Sequence, residues 1–552
     1  MADDGVQLSL TREEEALFDL LCDVVARNGL ATVPRVAGGW VRDKLLGKAS
    51  ADIDIALDDM TGVAFSELVN ARLAELGRET RSLGVISANP EQSKHLETVS
   101  LRVLGFELDV VNLRSESYAD GSRIPTVEFG SPRADAERRD LTINALFYNL
   151  CTRRVEDLCG RGLADLRARL CRTPLDASRT FLDDPLRVLR AARFAARLGF
   201  ALAPDLVAAA RTVDVQDALR TKVSRERVLI ELGKMLSTAR PIGAFRLLRC
   251  MGLLPAVFDM PDGCAHARRA AEAAVADDAG AWPPVDARAD ARFRARFDDE
   301  CAACAEALDV AIGWEAAAAL GGAAGGSETA GAPALVTVEP AADARRLLWL
   351  AAALLPALGL VAPLGSKQKP APLAEVVLRG AFPGLSSADI ATVLRLHASI
   401  PELARWCSRA ELPAELSRLQ LGLRLRDAGP HWRAALALAL VAAAPPLDAA
   451  DAMPSAADLD AARIDAARAA WRASAAPHAA AAALIVRRAD ELGLSDAHAL
   501  RPLLDGAELM REAGVPKGPA VGRASRELLE FQLAHRHATR DEAIAHLRAC
   551  AW

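Results

Sequence analysis

The stretch RVAGGWVRDKLLGKASADIDIAL, residues 35–57, predicts the fold around it. An apolar lead-in reaches two glycines, a helix-forming segment follows, and a strand then carries Asp52 and Asp54. Because side chains alternate faces along a strand, Ile53 and Ile55 can enter a core while the two acids project together on the other side. Two like charges held in this way repel each other, and their hard oxygen atoms favour Mg²⁺ as a ligand partner. The pattern therefore predicts a magnesium site at Asp52 and Asp54.

The two glycines, Gly38 and Gly39, come directly before the helix-forming segment. Glycine lets a backbone approach a phosphate closely, and the N-terminus of the next helix adds positive potential. Taken alone, a DxD pattern is more often a solvated strand face or a turn. The glycine turn and the adjacent pair Arg42-Asp43 favour the metal site, and a metal beside a phosphate-binding turn indicates nucleotidyl transfer.

A further acid, Asp109, lies in FELDVVNLR on the same strand face as Glu107 and Val111. This segment and the preceding HLETVSLRVLG are rich in β-branched residues and alternate in polarity, which predicts an antiparallel pair of strands meeting near Gly105. Asp109 then either supplies a third carboxylate to the metal cluster or pairs with a nearby arginine.

Two later segments concentrate charge. RRDLTINALFYNL is either an ordinary helix start or a place where Arg139 and Asp140 lie beside a nucleotide. FLDDPLRVLRAARFAARLGF predicts one helix on which Asp184 and Arg187, three residues apart, share a face. Arg190 and Arg193 would continue that stripe, which alternatively is a solvated basic face with an intrahelical salt bridge.

The whole chain has 552 residues and a net charge of −6, so it is long enough for several domains and has no overall basic character. Ten scattered cysteines are typical of reduced thiols in an intracellular protein, and the pair Cys301 and Cys304 is expected to be incidental. The N-terminus lacks the apolar core of a secretory signal. The uncharged run at 347–366 has the length of a membrane span, but Pro356 and Pro363 interrupt it, so we predict a buried helix followed by a loop.

Four motifs, in their order and spacing, resemble the class II tRNA nucleotidyltransferases, the CCA-adding enzymes, and their eukaryotic branch most: GGWVRDKLLG…DID, RRDLTINAL, EDLCGRGLADL and LDDPLRVLRAARFAARLGF. The resemblance covers about residues 30–255 closely, including SRERVLIELGKML at 224–236. The remainder is similar only loosely, chiefly through LLWLAAALLPALGL and GVPKGPAVG at 514–522.

This resemblance implies an α+β fold, with a polymerase-β-like nucleotidyltransferase head built on a small mixed sheet and followed by all-α neck, body and tail domains. We predict a head at 1–175, a neck at 176–255, a low-complexity insertion or linker with helices at 256–345, and a helical body and tail at 346–552. The segment between Arg81 and His95 corresponds to a mobile loop in such enzymes.

The resemblance also assigns roles to residues. Asp52 and Asp54 would hold the catalytic Mg²⁺, and we add Asp109 to the predicted catalytic residues because of its place on the neighbouring strand. Asp184 and Arg187 would act as an amino-acid template, because a carboxylate accepts from the exocyclic amino group of C or A and a guanidinium donates to the adjacent ring nitrogen. The implied nucleotide-binding residues are Gly38, Gly39, Arg42, Arg139, Asp140, Asn144, Asp184, Arg187, Arg190 and Arg193. Within this set, Arg139 and Asp140 would contact the ribose and Arg190 and Arg193 the phosphates. The chain has Asp183 where many bacterial members have Glu.

The expected activity is stepwise addition of C, C and A to the 3′ end of tRNA from CTP and ATP, with release of pyrophosphate. A class II poly(A) polymerase and a CC- or A-adding specialist share the head motifs and remain alternatives. A non-catalytic tRNA-binding protein is the alternative from another class, but a degenerate scaffold has no reason to keep the repelling pair Asp52 and Asp54.

The expected partners are tRNA, CTP and ATP, with no membrane, and the sequence leaves the oligomeric state open. Basic residues for tRNA are Lys517, Arg523, Arg526, Arg536 and Arg540, although solvated helix faces explain any one of them equally well. His535 and His537 are expected to be surface residues.

We expect an intracellular location, in cytoplasm or nucleus, or in mitochondrion or plastid through an alternative start.

Overall fold

The computed structural model describes most of the chain, namely residues 6–50, 52–80, 83–86, 98–117, 126–238, 240–260, 268–269, 287–312, 342–364, 369–408, 416–447 and 461–552. Its contacts divide the chain into two compact units. The first unit contains residues 1–231 and 251–256, and the second contains residues 232–250 and 257–552. The glycine- and alanine-rich stretch at 321–334 lies outside the described residues, as does most of the predicted mobile loop at 81–95.

The first unit is organised around a mixed sheet whose seven described strands have the order β3-β4-β5-β2-β1-β8-β9. The strands of this unit are β1 (Arg35–Ala37), β2 (Ile53–Leu57), β3 (Gly84–Ile86), β4 (Thr98–Val103), β5 (Phe106–Asn112), β6 (Arg114–Ser117), β7 (Thr126–Phe129), β8 (Phe147–Asn149), β9 (Arg154–Glu156), β10 (Leu170–Cys171) and β11 (Ala201–Leu202). The predicted antiparallel pair near Gly105 is confirmed as β4 and β5, joined by a tight turn in which Gly105 has a φ of 91°.

The strand that carries the acids alternates as predicted. Ile53 and Ile55 of β2 are buried at 1% and 0% exposure, whereas Asp54 projects from the opposite face of the strand, where it lines a cavity. β2 pairs in parallel with β5, and the register places Asp54 directly beside Asp109. The apolar face of the strand thus fixes which way the acids point.

Helices cover the sheet and extend beyond it. Those that begin in the first unit are α1 (Arg12–Arg27), α2 (Gly39–Leu45), α3 (Gly62–Glu75), α4 (Pro132–Glu137), α5 (Gly162–Arg167), α6 (Ala177–Asp183), α7 (Leu186–Leu198), α8 (Pro204–Ala210), α9 (Val213–Lys222), α10 (Arg225–Leu236) and α12 (Leu254–Phe258). We call the stretch that begins with Arg138, Arg139 and Asp140 the RRD segment. The helix start considered for it is wrong: α4 ends before Arg138, and a short 3-10 turn (Thr142–Asn144) leads into β8.

The prediction of one continuous helix through Asp183-Asp184-Pro185 is also wrong. Asp184 has an extended backbone, with φ −135° and ψ 99°, and separates α6 from α7. A proline disfavours helical geometry in the residue before it and has no N–H to donate. The break turns Asp184 into a linker residue while Arg187 stays in the first turn of α7.

The second unit is mainly helical. Its helices are α11 (Pro241–Cys250), α13 (Ala287–Ile312), α14 (Ala342–Ala353), α15 (Leu373–Ala381), α16 (Ser387–Cys407), α17 (Arg418–Ala428), α18 (Trp432–Ala443), α19 (Ala461–Glu491), α20 (Gly506–Glu512), α21 (Pro519–Ala534) and α22 (Arg540–Ala549). A small antiparallel sheet, which the sequence did not predict, adds β12 (Arg268–Arg269), β13 (Leu360–Leu364) and β14 (Lys369–Pro372).

The uncharged run at 347–366 begins in the predicted buried helix, since Leu348, Trp349 and Leu350 of α14 are at most 1% exposed. The chain then passes through a 3-10 turn at 355–357 and enters β13 rather than a loop alone. Across the described residues, the structure contains no helix with the length and apolarity that a bilayer crossing requires.

Candidate active site

The acidic cluster consists of Asp52, Asp54 and Asp109, which lie together on one face of the central strands β2 and β5. Asp52 directly precedes β2, and Asp109 accepts a hydrogen bond of 2.5 Å from the Ser100 hydroxyl. Burial raises the pKa of Asp54, and the negative charges of Asp109 and Asp52 raise it further, against the opposing charge of Arg139. A raised pKa means that the neighbouring groups disfavour the ionised carboxylate.

The negative charge that these three carboxylates share indicates whether the cluster suits a cation. Three carboxylates supply only hard oxygen ligands, which suit Mg²⁺ and not a thiophilic metal. A bound divalent cation would offset both the burial and the carboxylate repulsion that raise the pKa of Asp54. The residues therefore fit the metal that the sequence predicts, with Asp52 and Asp54 as the ligands and Asp109 beside them.

The turn before α2 is built around Gly38. Its φ is 69°, and its N–H donates to the Leu146 carbonyl oxygen over 2.9 Å. A Cβ atom at this position would lie 2.7 Å from Nη1 of Arg139 and 3.2 Å from the Asn144 carbonyl oxygen. Only glycine lets the turn approach the RRD segment this closely.

We expect Gly38→Ala to lower the free energy of unfolding by about 1–3 kcal/mol and to raise KM for the nucleotide, because the methyl group displaces the Arg139 guanidinium. Gly47→Ala is the matched control, since Gly47 also has a φ of 69° but no atom within 4 Å of its added Cβ. Denaturant unfolding and steady-state kinetics would measure both changes. Equal effects of the two substitutions would contradict the close-approach argument.

Charged side chains behind this turn hold one another in place. Arg42, only 2% exposed, donates from Nε to the Asp43 carboxylate over 2.8 Å and from Nη1 to the side-chain oxygen of Asn144. Its guanidinium also lies 5.1 Å from the Phe194 ring centroid. α2 and the RRD segment are therefore joined by a buried polar network.

The RRD segment orients its arginine through Asp135, an acid on α4. Arg139 donates from Nη2 to Asp135 over 2.8 Å and from Nη1 to the Asn144 carbonyl oxygen over 3.2 Å. Burial would raise the pKa of Asp135, but Arg139 and Arg138 hold it below its ordinary value. Asp135 thus stays ionised and fixes both guanidinium groups.

Asp140 connects the RRD segment to α7. Its carboxylate accepts hydrogen bonds from Arg190 Nε (2.8 Å) and from the Asn144 amide nitrogen (2.9 Å). Burial would raise the pKa of Asp140, but the charge of Arg190 lowers it below its ordinary value. Both carboxylate oxygens of Asp140 are thus engaged and hold Arg190 in place, and the ribose contact of Asp140 stays a prediction.

Asp184 lies in the break between α6 and α7, and Arg187 lies in the first turn of α7. The Asp184 carboxylate accepts from the Leu186 N–H over 3.3 Å and lies 3.6 Å from Arg227 Nη2, a residue of α10. Arg187 is 8% exposed, and its Nη1 donates to the Thr180 carbonyl oxygen over 3.4 Å. Both side chains are held at the start of α7 and line the same cavity.

Arg193 is separated from this group. It is 8% exposed, its Nε donates to Glu231, and its guanidinium stacks 4.1 Å from the Phe194 ring centroid. The face of α7 that lines the cavity instead carries Arg187, Arg190, Phe194 and Arg197, a spacing of three, four and three residues. The sequence predicted that Arg193 would follow Arg190 on the cavity face of α7. Arg197 takes that place, and Arg193 does not line the cavity.

The cavity has a volume of about 880 Å³. It is lined by Gly38, Gly39, Arg42, Asp43, Asp52, Asp54, Asp109, Arg114, Arg138, Arg139, Asp140, Asn144, Asp184, Arg187, Arg190, Arg197 and Arg227, among others. Within the described residues its lining contains eight arginines and six aspartates, and three of the acids, Asp52, Asp54 and Asp109, are clustered at the adjacent strands β2 and β5. That division suits a ligand that carries several phosphates and comes with a metal ion.

Arg114, Arg197 and Arg227 also line the cavity, although the sequence did not predict them there. Arg197 follows Arg190 by seven residues, or two helical turns, so a strict helical pattern would have favoured it over Arg193. Arg227 lies in the SRERVLIELGKML motif. This motif contributes to the family resemblance, but the resemblance assigned no role to any of its residues. No local signal marked Arg114.

Two family models match the chain. The poly A polymerase head domain matches residues 34–172, and a model described as the probable RNA and SrmB-binding site of polymerase A matches residues 199–264. The first match contains the acidic cluster, the glycine turn and the RRD segment. The second contains Arg227 and begins directly after α7.

Curated relatives agree with these models. The chain is 48% identical over 228 residues to the mitochondrial CCA tRNA nucleotidyltransferase of Saccharomyces cerevisiae, which covers 41% of this chain and 42% of that one. It is 28% identical over 550 residues to the tRNA nucleotidyltransferase cca1 of Schizosaccharomyces pombe, covering 99% and 97%. A poly(A) polymerase I of Escherichia coli is 32% identical over 215 residues, covering 39% and 44%. For most of these relatives the match spans less than half of their length.

Solved structures show the same fold. The CCA-adding enzyme of Bacillus stearothermophilus in complex with CTP matches with a TM-score of 0.54 and 20% identity, covering 98% of this chain and 97% of that one. The Thermotoga maritima CCA-adding enzyme complexed with tRNA matches with a TM-score of 0.54 and 17% identity, covering 98% and 96%. The family models, the curated relatives and the motif-bearing cavity together show that this chain contains a poly A polymerase-type head domain and is similar to the CCA tRNA nucleotidyltransferases.

Proposed function

We propose that this protein adds C, C and A in sequence to the 3′ end of tRNA, using CTP and ATP and releasing pyrophosphate. The observation that carries the proposal is that the acidic cluster and the pair Asp184–Arg187 open into one cavity. Its volume of about 880 Å³ is within the range of small-molecule sites. One end offers ligands for a metal that acts on phosphates, and the other offers a donor and an acceptor for a base.

Asp52 and Asp54 would hold Mg²⁺, with Asp109 as a third carboxylate beside them. When bound, the metal would lower the pKa of the tRNA 3′-hydroxyl and neutralise charge on the triphosphate. Enzymes of this family generally depend on a divalent metal. The chain itself positions the reactants: Gly38 leaves room for phosphates, and Arg139 lies fixed at the ribose side by Asp135.

Selection of the base would rest on Asp184 and Arg187. A carboxylate that accepts from an exocyclic amino group and a guanidinium that donates to a ring nitrogen match both C and A, whereas G and U present other patterns. Arg227 would position Asp184, since it approaches the same carboxylate. Selection of the base by Asp184 and Arg187 would need no nucleic-acid template strand.

We expect Arg187→Ala to reduce the discrimination between CTP and UTP by about 10-fold or more, because a hydrogen bond from a charged group to the correct base is lost. Competition between labelled nucleotides would measure the ratio of kcat/KM values. Arg179→Ala is the control, because Arg179 is an exposed arginine of α6 that does not line the cavity. Unchanged selectivity would remove Arg187 from the template.

The tRNA partner of the proposal requires a basic surface. Lys517, Arg523 and Arg526 are exposed around the start of α21 and suit phosphate contacts. Arg540 suits them less, since it forms ion pairs of 2.8 and 2.9 Å with Glu508 and Glu512. The mitochondrial relatives support a mitochondrial pool of the protein, beside the cytoplasmic and nuclear locations expected from the sequence.

The deciding experiment offers CTP, ATP or both to a tRNA that lacks its 3′ end, followed by sequencing of the products. Ordered CCA ends would support the proposal. A long A tail would favour the poly(A) polymerase alternative, and a product ending in CC or requiring a CC end would indicate a specialist. The alternatives have relatives of their own: an A-adding tRNA nucleotidyltransferase is 32% identical over 219 residues, and a poly(A) polymerase I is 32% identical over 215 residues.

A further inference from the structure

A second group of metal-ligating side chains lies in the second unit, near the C-terminus. Glu527 is on α21, His546 is on α22, and Cys550 directly follows α22. Each offers one ligand atom, and these three atoms all lie within 4.8 Å of one another. Among the described residues this is the one trio of His, Cys, Asp and Glu that meets that criterion. None of its members takes part in the proposed nucleotide chemistry.

The contacts converge on a single atom, Nε2 of His546. Oε1 of Glu527 lies 2.8 Å from it, and Sγ of Cys550 lies 4.0 Å from it. In a Cys-His-acid relay the thiol and the acid face opposite nitrogens of the ring, so that the acid orients the base that acts on the thiol. Here both groups face the same nitrogen. The arrangement therefore does not suit nucleophilic catalysis.

The state of the thiol supports the same conclusion. Burial raises the pKa of Cys550, and the negative charge of Glu527 raises it further. An activated nucleophile needs the opposite environment, with a positive group that stabilises the thiolate.

The distances are close to those of a tetrahedral zinc site. Zinc bonds of about 2.0–2.3 Å to nitrogen, oxygen and sulfur place neighbouring ligand atoms about 3.3–3.7 Å apart. The observed separations of 2.8 and 4.0 Å bracket that range and the third is within 4.8 Å, so modest side-chain shifts of about 1 Å would bring the three atoms to zinc-ligand spacing. Glu527 and His546 are 40% and 33% exposed at their side chains, which leaves room for water as a fourth ligand.

The imidazole is also held in position before any metal binds. Its ring stacks on Phe531 with centroids 4.4 Å apart and an angle of 21° between the planes. Leu528 and Leu547, both 0% exposed, pack in the apolar cluster that joins α21 to α22. Two of the three ligands are thus presented by helices that already pack together, which lowers the entropy cost of binding.

We propose that Glu527, His546 and Cys550 form a binding site for a thiophilic divalent cation, Zn²⁺, with water as the fourth ligand, and that the metal fastens the C-terminal helix α22 to α21. The mixed sulfur, nitrogen and oxygen set separates this site from the all-oxygen cluster in the first unit, which suits Mg²⁺. The proposal stands independently of the nucleotide chemistry.

The test uses the full-length protein, freed of metal under reducing conditions and titrated with Co²⁺ as a spectroscopic probe and with Zn²⁺ in competition. We expect one tetrahedral Co²⁺ with a thiolate charge-transfer band, displaced by one equivalent of Zn²⁺. Cys550→Ser should abolish the band, and His546→Ala should weaken Zn²⁺ binding by more than about 100-fold, because a direct ligand matters more than the partners behind it. Cys159→Ser is the matched control, since Cys159 is another half-buried free thiol.

Zn²⁺ should also raise the Tm of the wild-type protein and leave that of Cys550→Ser unchanged, because only a ligand bound to the folded state stabilises it. Circular dichroism of the variants would verify that they fold. Absence of a thiolate band in the wild-type protein, or a band and Zn²⁺ affinity that survive both Cys550→Ser and His546→Ala, would overturn the proposal.

Discussion

Asp54→Asn is expected to reduce nucleotide incorporation by about 10³-fold or more, while tRNA binding stays close to that of the wild-type protein. The substitution keeps the shape of the side chain and removes one charge from the ligand set for the metal. Steady-state incorporation of labelled CTP and a filter-binding assay with tRNA would measure the two properties separately.

The same substitution should stabilise the protein when no metal is bound. Burial and the charges of Asp109 and Asp52 raise the pKa of Asp54, so its ionised form is unfavourable in the folded state. Asp54→Asn should therefore raise Tm in EDTA and abolish the further rise that Mg²⁺ gives the wild-type protein. Opposite effects on stability and activity are typical of residues kept for function at a cost in stability.

Glu67→Ala is the matched control, because Glu67 is an exposed acid on α3 outside the cavity. It should change neither incorporation nor the response of Tm to Mg²⁺. Normal turnover by Asp54→Asn would refute the metal assignment, and a fall in Tm in EDTA would refute the repulsion within the acidic cluster.

The part of the site that the sequence predicted correctly depends on local periodicity. Alternation along β2 places Asp54 opposite to Ile53 and Ile55, and the core accepts only one of the two faces. The turn at Gly38 and the hairpin at Gly105 are local in the same sense, since each requires a glycine where the backbone is left-handed.

Much of the rest depends on contacts between residues far apart in the sequence. Helical spacing places Arg197 on the same face of α7 as Arg190, but the buried partner of Arg193, Glu231, is 38 residues further along the chain. Arg227 reaches Asp184 across 43 residues of sequence. Pro185 is a local signal for a helix break at Asp184. The helical pattern on both sides of it is strong, however, and favours one continuous helix.

Arg468→Met is expected to cost the second unit about 3–5 kcal/mol of unfolding free energy. Arg468 of α19 pairs with Glu306 and, over 2.8 Å, with Asp309, two acids of α13 that are 0% and 2% exposed. Arg246 of α11 also donates to Glu306, from Nε over 2.9 Å. Loss of Arg468 leaves Asp309 without the arginine that bonds to it, in a place that water does not reach.

Denaturant unfolding followed by tryptophan fluorescence would measure this cost, since Trp471 lies three residues further along α19 and is 4% exposed. Arg488→Met is the matched control on the same helix. Arg488 is 44% exposed and forms a surface pair with Glu491, so its loss should cost less than about 1 kcal/mol. Similar costs for the two variants would contradict a special role for the buried network.

The pH dependence provides an independent check. Burial raises the pKa of Asp309 to about 6, even though Arg468 acts in the opposite direction. Between its ordinary pKa of 3.8 and about 6, the folded protein holds this proton more tightly than the unfolded chain does, so Asp309 makes stability fall as pH rises through that window. Asp309→Asn should remove this decline, whereas Arg468→Met should extend it to higher pH, because the carboxyl then loses its positive neighbour. A network that only packed α13 against α19, without electrostatic coupling, would give parallel pH profiles for all three proteins.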